Sequence, residues 1–176
     1  MYKENKMVIL GLDISTTCVG YAFTKDKKIL DMGFIDIKKH ITPKEKVFFV
    51  LGFLNESSYI DKVEKINIED NLSGFAGGFT SQQTIVKLAK FNAILGFVLE
   101  EEFNIPVYNI NPMTARKQVF GKARVKGIKA KDLVKMKIEE LYDTSDWCKT
   151  TTRGNWDKRN IDAYDGLVMS LYEKKA

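Results

Sequence analysis

Four acidic residues stand where chemistry is possible. Asp13 closes the apolar run Val8-Ile9-Leu10-Gly11-Leu12, and Glu69 closes the alternating stretch Lys65-Ile66-Asn67-Ile68. Asp162 and Asp165 stand three apart near the C-terminus, a spacing that puts both on one face of a helix. Gathered in one place, these carboxylates repel one another and resist ionisation without countercharge. Two divalent cations balance four negative charges, and an all-oxygen donor set selects a hard ion, Mg²⁺ or Mn²⁺, over zinc. Such a pair suits phosphodiester hydrolysis, one ion activating water and the other stabilising the leaving oxygen. Singly, each acid has a plainer reading, because strand ends are solvated and first-turn acids suit the helix macrodipole. Two strand-end acids together with a DxxD helix favour the metal reading.

The elements that must position these acids follow from periodicity. Val8 to Leu12 is a short, continuously apolar buried strand. Cys18 to Thr24 and Lys28 to Ile37 are two more, joined by Lys25-Asp26-Lys27, which makes an antiparallel meander. Pro43 opens a helix with Val47, Phe48, Val50, Leu51 and Leu54 at helical spacing. The fourth strand ends at Glu69, and a glycine-rich loop containing Phe75 and Phe79 follows. Thr80 or Ser81 caps a long helix to Phe103 whose apolar residues nearly encircle it, so it is expected to be buried on most sides, in a core or under a second subunit.

The fifth strand, from Pro106 to Ile110, comes after a helix and is expected to be parallel. Asn111-Pro112 starts a short helix to Phe120, and Lys129 to Tyr142 forms another with Leu133, Met136, Ile138 and Leu141 inward. A polar loop over 143–160, with Trp147 and Trp156, precedes an amphipathic helix from Ile161 to Tyr172. The sum is an α/β fold: a mixed five-stranded sheet, three strands antiparallel and two parallel, flanked by helices in a single domain over 1–176.

Composition narrows the class. At 44% hydrophobic residues, the chain can bury a core without disulfides. Cys18, Cys148 and the one histidine, His40, are too few and too scattered for a Cys/His zinc site. Sparse cysteine points to a reducing, cytoplasmic setting. No apolar run approaches the ~20 residues a membrane helix needs. The net charge of +5 favours anionic partners.

Three motifs in order, GLDISTTCVGYAF, INIED and NIDAYDGLVMSLY, resemble the RuvC-type Holliday-junction resolvases of the RNase H-like superfamily, the phage-encoded branch most of all. Sugar kinases share the first motif, but not all three in this order. The resemblance spans Met7 to Tyr172. It implies an RNase H-like fold and a metal-dependent endonuclease that resolves four-way DNA junctions by paired nicks, with Asp13, Glu69, Asp162 and Asp165 holding two Mg²⁺, for which Mn²⁺ would substitute. It implies a homodimer through the long helix over 81–103, and places Lys131 near the active site. Two departures stand out. Bacterial members often carry a histidine after the last aspartate, where this chain has Gly166-Leu167-Val168. They also place an aromatic soon after the glutamate, where this chain has Leu72. Phe75 is the candidate wedge between bases, and Phe79 is equally suited to staple the next helix.

A basic segment completes the set. Arg116, Lys117, Lys122, Arg124, Lys126, Lys129, Lys131, Lys135 and Lys137 are opposed only by Asp132. With Gly121 and Gly127 it reads as a flexible arm, and Arg116, Lys117, Lys122, Arg124, Lys126 and Lys129 are candidate DNA-backbone contacts. A nuclease acting on RNA or RNA–DNA hybrid and a non-catalytic junction-binding protein of the same fold are the alternatives.

Overall fold

In a computed structural model of the chain, residues 7–70 and 82–173 are described. Leu72, Phe75, Phe79 and the start of the long helix at Thr80 or Ser81 lie outside them. Five strands form one sheet in the order β3-β2-β1-β4-β5. β1 (Val8–Ile14), β2 (Cys18–Lys25) and β3 (Lys28–Asp36) make the antiparallel meander, while β4 (Val63–Glu69) and β5 (Val107–Ile110) run parallel to β1. The two-residue turn between β2 and β3 puts Asp26 at φ 54° and Lys27 at φ 60°, the left-handed pair that matches the strands' twist. The expected mixed sheet is the one observed.

Helices cover both faces. α1 (Pro43–Asn55) and α2 (Gln82–Phe103) pack on one; α3 (Pro112–Phe120), α4 (Ala130–Leu141) and α5 (Asn160–Leu171) pack on the other. Strand alternation divides the residues between them. Leu10, Leu12 and Ile14 of β1, with Ile66 and Ile68 of β4, join the core under α1 and α2. Their neighbours in sequence, Gly11, Asp13, Asn67 and Glu69, turn to the face under α5.

Two expectations about helices change, and a third is narrowed. α5 is not amphipathic: every residue from Ala163 to Leu171 is buried, because the sheet lies beneath it and α3 and α4 pack against it. Of the two covers expected for α2, a core or a second subunit, the core supplies one side only: it buries Phe91, Leu95 and Leu99 but leaves Val86, Ile94 and Phe97 exposed in the single chain, the last at 64%. On α4, Leu133, Val134 and Ile138 face inward, whereas Met136 and Leu141 are exposed.

The two polar connections are also shaped. Gly121 ends α3 at φ 74°, and a turn through Gly127 at φ 82° pairs Val125 with Ile128, so the basic segment is a defined turn rather than an arm without structure. Within 143–160, Thr150 bridges Trp156 across a turn through Gly154. Asn160 brackets the base of this hairpin, its amide donating to the Lys149 carbonyl at 2.8 Å and accepting from the Lys149 N–H at 3.0 Å. Trp147 and Trp156 pack against the α5 cluster, with Lys135 4.1 Å over the Trp156 ring. Among the described residues no helix is long and apolar enough to cross a membrane.

Candidate metal centre

Position starts with the parallel register. Leu12 of β1 lies beside Ile68 of β4, so the next residue on each strand, Asp13 and Glu69, projects from the same edge of the sheet and on the α5 side. β1 runs on to Ile14, which keeps Asp13 inside the strand and fixes its direction.

α5 reaches these acids because the sheet beneath it lacks side chains at two points. A Cβ on Gly11 would collide with the Gly166 carbonyl and lie 2.8 Å from the Ser170 Cα; one on Gly20 would collide with the Asp162 carbonyl and lie 2.7 Å from the Ala163 nitrogen. Backbone therefore rests on backbone. Two buried side chains then set how far along its axis the helix sits. Asn67 donates its amide to the Met169 carbonyl at 2.8 Å and to the Tyr172 carbonyl at 3.1 Å, and Thr24 donates to the Ser170 carbonyl at 3.1 Å. These carbonyls lie in the last turn of α5, where the helix's own hydrogen-bond ladder runs out; the Met169 carbonyl also accepts the Tyr172 N–H at 3.2 Å.

The result is a cluster of three. Asp13, Glu69 and Asp165 each present a carboxylate oxygen within 4.8 Å of the others. All three are nine-tenths buried or more. Asp162 is the fourth acid expected here, but its Oδ1 accepts from Lys131 Nζ at 3.2 Å instead. One turn away, Asp165 Oδ1 accepts from Arg116 Nη2 at 3.0 Å. Arg116 is only 8% exposed. That removes it from the candidate DNA contacts: a guanidinium buried under α5 cannot reach a backbone phosphate. Lys117, Lys122, Arg124, Lys126 and Lys129 are all exposed. The hydroxyl of Ser15 is occupied in the β1–β2 turn, donating to the Cys18 carbonyl at 2.8 Å and accepting the Cys18 N–H at 3.0 Å.

Electrostatics match this geometry. Burial, then the charges of Glu69, Asp165 and Asp162, push the Asp13 carboxyl well above the usual carboxylate range, with Lys131 opposing. Burial and Asp165 raise Glu69 to about 7 against Arg116 and Lys131. Burial also raises Asp165, though the Arg116 charge and hydrogen bond hold it back. For Lys131 burial acts downward, and Asp162, Asp165 and Asp13 together outweigh it, so the ammonium form is favoured.

Donor chemistry fits a hard cation. Three oxygens converge in a buried cluster, and Glu69 Oε2 is buried without any hydrogen-bond partner. An unpartnered carboxylate oxygen at that depth costs free energy that a cation would recover. The set contains no sulfur or imidazole; His40 stacks on Phe49 of α1 at 4.3 Å between ring centroids.

Residue periodicity alone did not reveal Arg116 or Asn67. A signal for Arg116 existed, since it falls on the stripe of α3 that also carries Pro112, Ala115 and Val119. Asn67 had none: alternation marks it as solvent-facing, and only the helix over the second face buries it.

A five-stranded mixed sheet of this order, with helices on both faces, is the RNase H-like fold. The Thermus thermophilus RuvC structure superposes with a TM-score of 0.62 at 16% identity, covering 94% of this chain and 92% of that one. T. thermophilus RuvC in complex with Holliday junction substrate gives 0.60 at 14% identity, covering 94% and 90%. The chain thus has the fold of RuvC over nearly its whole length. No protein-family model matches it, and no curated protein matches it in sequence.

Proposed function

We propose that this chain is a structure-selective DNA endonuclease, one nuclease domain that resolves Holliday junctions and other branched DNA by paired nicks. The observation that carries the reading is the convergence of Asp13, Glu69 and Asp165 from β1, β4 and α5 into one buried cluster, on a fold shared with a RuvC whose structure is in complex with Holliday junction substrate. Asp13, Glu69 and Asp165 would hold Mg²⁺ or Mn²⁺, joined by Asp162 when a second ion and DNA are present. A divalent cation bound there supplies Lewis acidity toward the phosphodiester and makes water nucleophilic at neutral pH.

The chain's own groups do the rest. Lys131, the ammonium nearest the carboxylates, stabilises the extra negative charge on the phosphoryl oxygens during displacement. Arg116 is a positioning residue that fixes Asp165 through one oxygen and leaves the other free. Lys117, Lys122, Arg124, Lys126 and Lys129 lie on the connection whose two ends carry Arg116 and Lys131, so DNA held by these exposed cations runs past the acids. Phe75 remains the proposed wedge at the junction centre. The exposed apolar residues of α2, Val86, Ile94 and Phe97, are the proposed dimer contact, which would place two active sites for paired cuts. The motif likeness to the phage-encoded branch supports a resolvase acting in a host cytoplasm.

The test incubates the purified protein with a synthetic four-way junction, a linear duplex and an RNA–DNA hybrid, with Mg²⁺ or Ca²⁺. Symmetric nicks on the junction, abolished in Asp13→Asn while binding persists, are the expected result. Binding without Mg²⁺- or Mn²⁺-dependent cleavage would leave a non-catalytic junction binder, and preferential cutting of the hybrid strand would make it a ribonuclease of the same fold.

A further inference from the structure

We infer that Arg116 and Lys131 stand in for one of the two divalent cations, so that the protein without DNA takes up a single divalent ion. The inference rests on the metal-centre reading above and deepens it.

Countercharge is the starting point. Asp13, Glu69, Asp162 and Asp165 carry four negative charges when ionised. Two of these are already matched within the chain: Arg116 Nη2 lies 3.0 Å from Asp165, and Lys131 Nζ lies 3.2 Å from Asp162. One divalent ion makes the cluster neutral. A second would leave the buried site two charges positive, which low-dielectric surroundings resist.

Geometry points the same way. The oxygens free to converge belong to Asp13, Glu69 and Asp165, and Asp162 is not among them. Glu69 Oε2 is buried without a hydrogen-bond partner, and neither internal cation hydrogen-bonds Glu69. The two internal cations differ in permanence. Arg116 is buried in α3 and has no route out without unpacking α3 from α5. Lys131 has a side chain 65% exposed, a flexible arm that can release Asp162. A phosphodiester entering the site brings one more negative charge. With Arg116 retained and Lys131 moved from Asp162 to the phosphate, two divalent ions then leave the site within one charge of neutrality. Lys131 therefore acts as a place-holder that ties full metal loading to the arrival of DNA, and Arg116 as the permanent countercharge.

The experiment titrates Mn²⁺ into metal-stripped protein without DNA and counts bound ions from the electron paramagnetic resonance of free Mn²⁺. Wild type is expected to bind one ion per chain. Lys131→Met, at an exposed position that leaves the fold intact, is expected to bind two, the second about tenfold tighter than any second ion on wild type, as suits loss of one partly solvated unit charge. Lys131→Arg should restore a count of one. Arg116→Lys should also count one, whereas Arg116→Met should admit a second ion if it folds. Two ions of similar affinity on wild type, or a count of one on Lys131→Met, would overturn the inference and leave the nuclease reading standing. No bound ion on any variant would overturn both, and junction cleavage by wild type measures the nuclease reading independently.

Discussion

Arg116 and Asp165 form a buried ion pair, Nη2 to Oδ1 at 3.0 Å, that joins α3 to α5 inside the carboxylate cluster. The side chains are 10% and 4% exposed, so neither charge has water as an alternative partner. The same guanidinium has a second unmet need, because its Nε is buried without a partner. Its tie to Asp165 is thus both a structural brace and a constraint on how the acid can bind a cation.

Breaking that pair from one side is costly. Arg116→Met leaves Asp165 buried among the other carboxylates without its countercharge and is expected to destabilise the protein by about 3–5 kcal/mol. The double variant Arg116→Met with Asp165→Asn removes both charges and should lose less than the two single losses combined. Urea unfolding of the four proteins gives the coupling energy directly. Additive losses would show that the pair does not act as a unit.

The metal-free protein should lose stability as pH rises through the acid side of neutrality. Glu69 moves from 4.5 to about 7 on folding, so the folded state holds its proton more tightly than the unfolded state. Proton binding then favours the fold: the contribution is complete below pH 4.5 and lost by about pH 7. Asp13 and Asp165 are raised as well and act in the same direction. In EDTA, Tm should fall across that window, and excess Mn²⁺ should flatten or reverse the fall because it binds the deprotonated acids. A Tm that rises with pH in EDTA would contradict the assigned environment.

Asp13→Asn separates function from stability. It removes one of three crowded carboxylates whose mutual repulsion Arg116 and Lys131 offset only in part without metal. The metal-free variant should therefore melt higher than wild type, show little further gain from Mn²⁺, and cleave junctions about a hundredfold slower or worse. Thermal melts with and without Mn²⁺, set beside a cleavage time course, check all three.

Two glycines test how α5 is seated. Gly20→Ala drives a methyl group into the Asp162 carbonyl, so α5 must lift and the acids must separate. A loss of about 3 kcal/mol or more is expected, with Mn²⁺ binding lost even where the fold survives. Gly52→Ala, within α1 and with nothing near its added Cβ, should instead stabilise by about 0.5–1 kcal/mol. Circular dichroism melts distinguish them; equal effects would show that close packing is not what requires Gly20.

The exposed face of α2 makes a claim about assembly. Phe97 is 64% exposed on a helix whose opposite side supplies core residues. Phe97→Asp should shift the species measured by light scattering from dimer to monomer and leave the monomer's secondary structure unchanged. A wild type that is monomeric at high concentration would remove the proposed interface.

Local pattern was enough for the strand and helix order. The β1–β2–β3 meander, the parallel placement of β5 and the acids ending β1 and β4 all follow from side-chain periodicity, which a short strand or helix expresses within a few residues. It was not enough for exposure. α5 reads as amphipathic and is buried; α2 reads as apolar nearly all round, and the core of the single chain covers one side of it. Periodicity states what one side of an element requires, and the neighbours on the other side come from distant parts of the chain.

The site divides along the same line. The sequence by itself determined that Asp13 and Glu69 share a sheet edge, given parallel β1 and β4, and that Asp162 and Asp165 share a helix face. Only the tertiary structure decided that Asp165 joins the cluster while Asp162 turns to Lys131, and that Arg116 is buried while its basic neighbours are exposed. The reason is physical. Acids three residues apart differ by about 4.5 Å along a helix axis. Which one meets the strand acids depends on how far α5 slides over Gly11 and Gly20 before Asn67 stops it, a position set by contacts about a hundred residues apart.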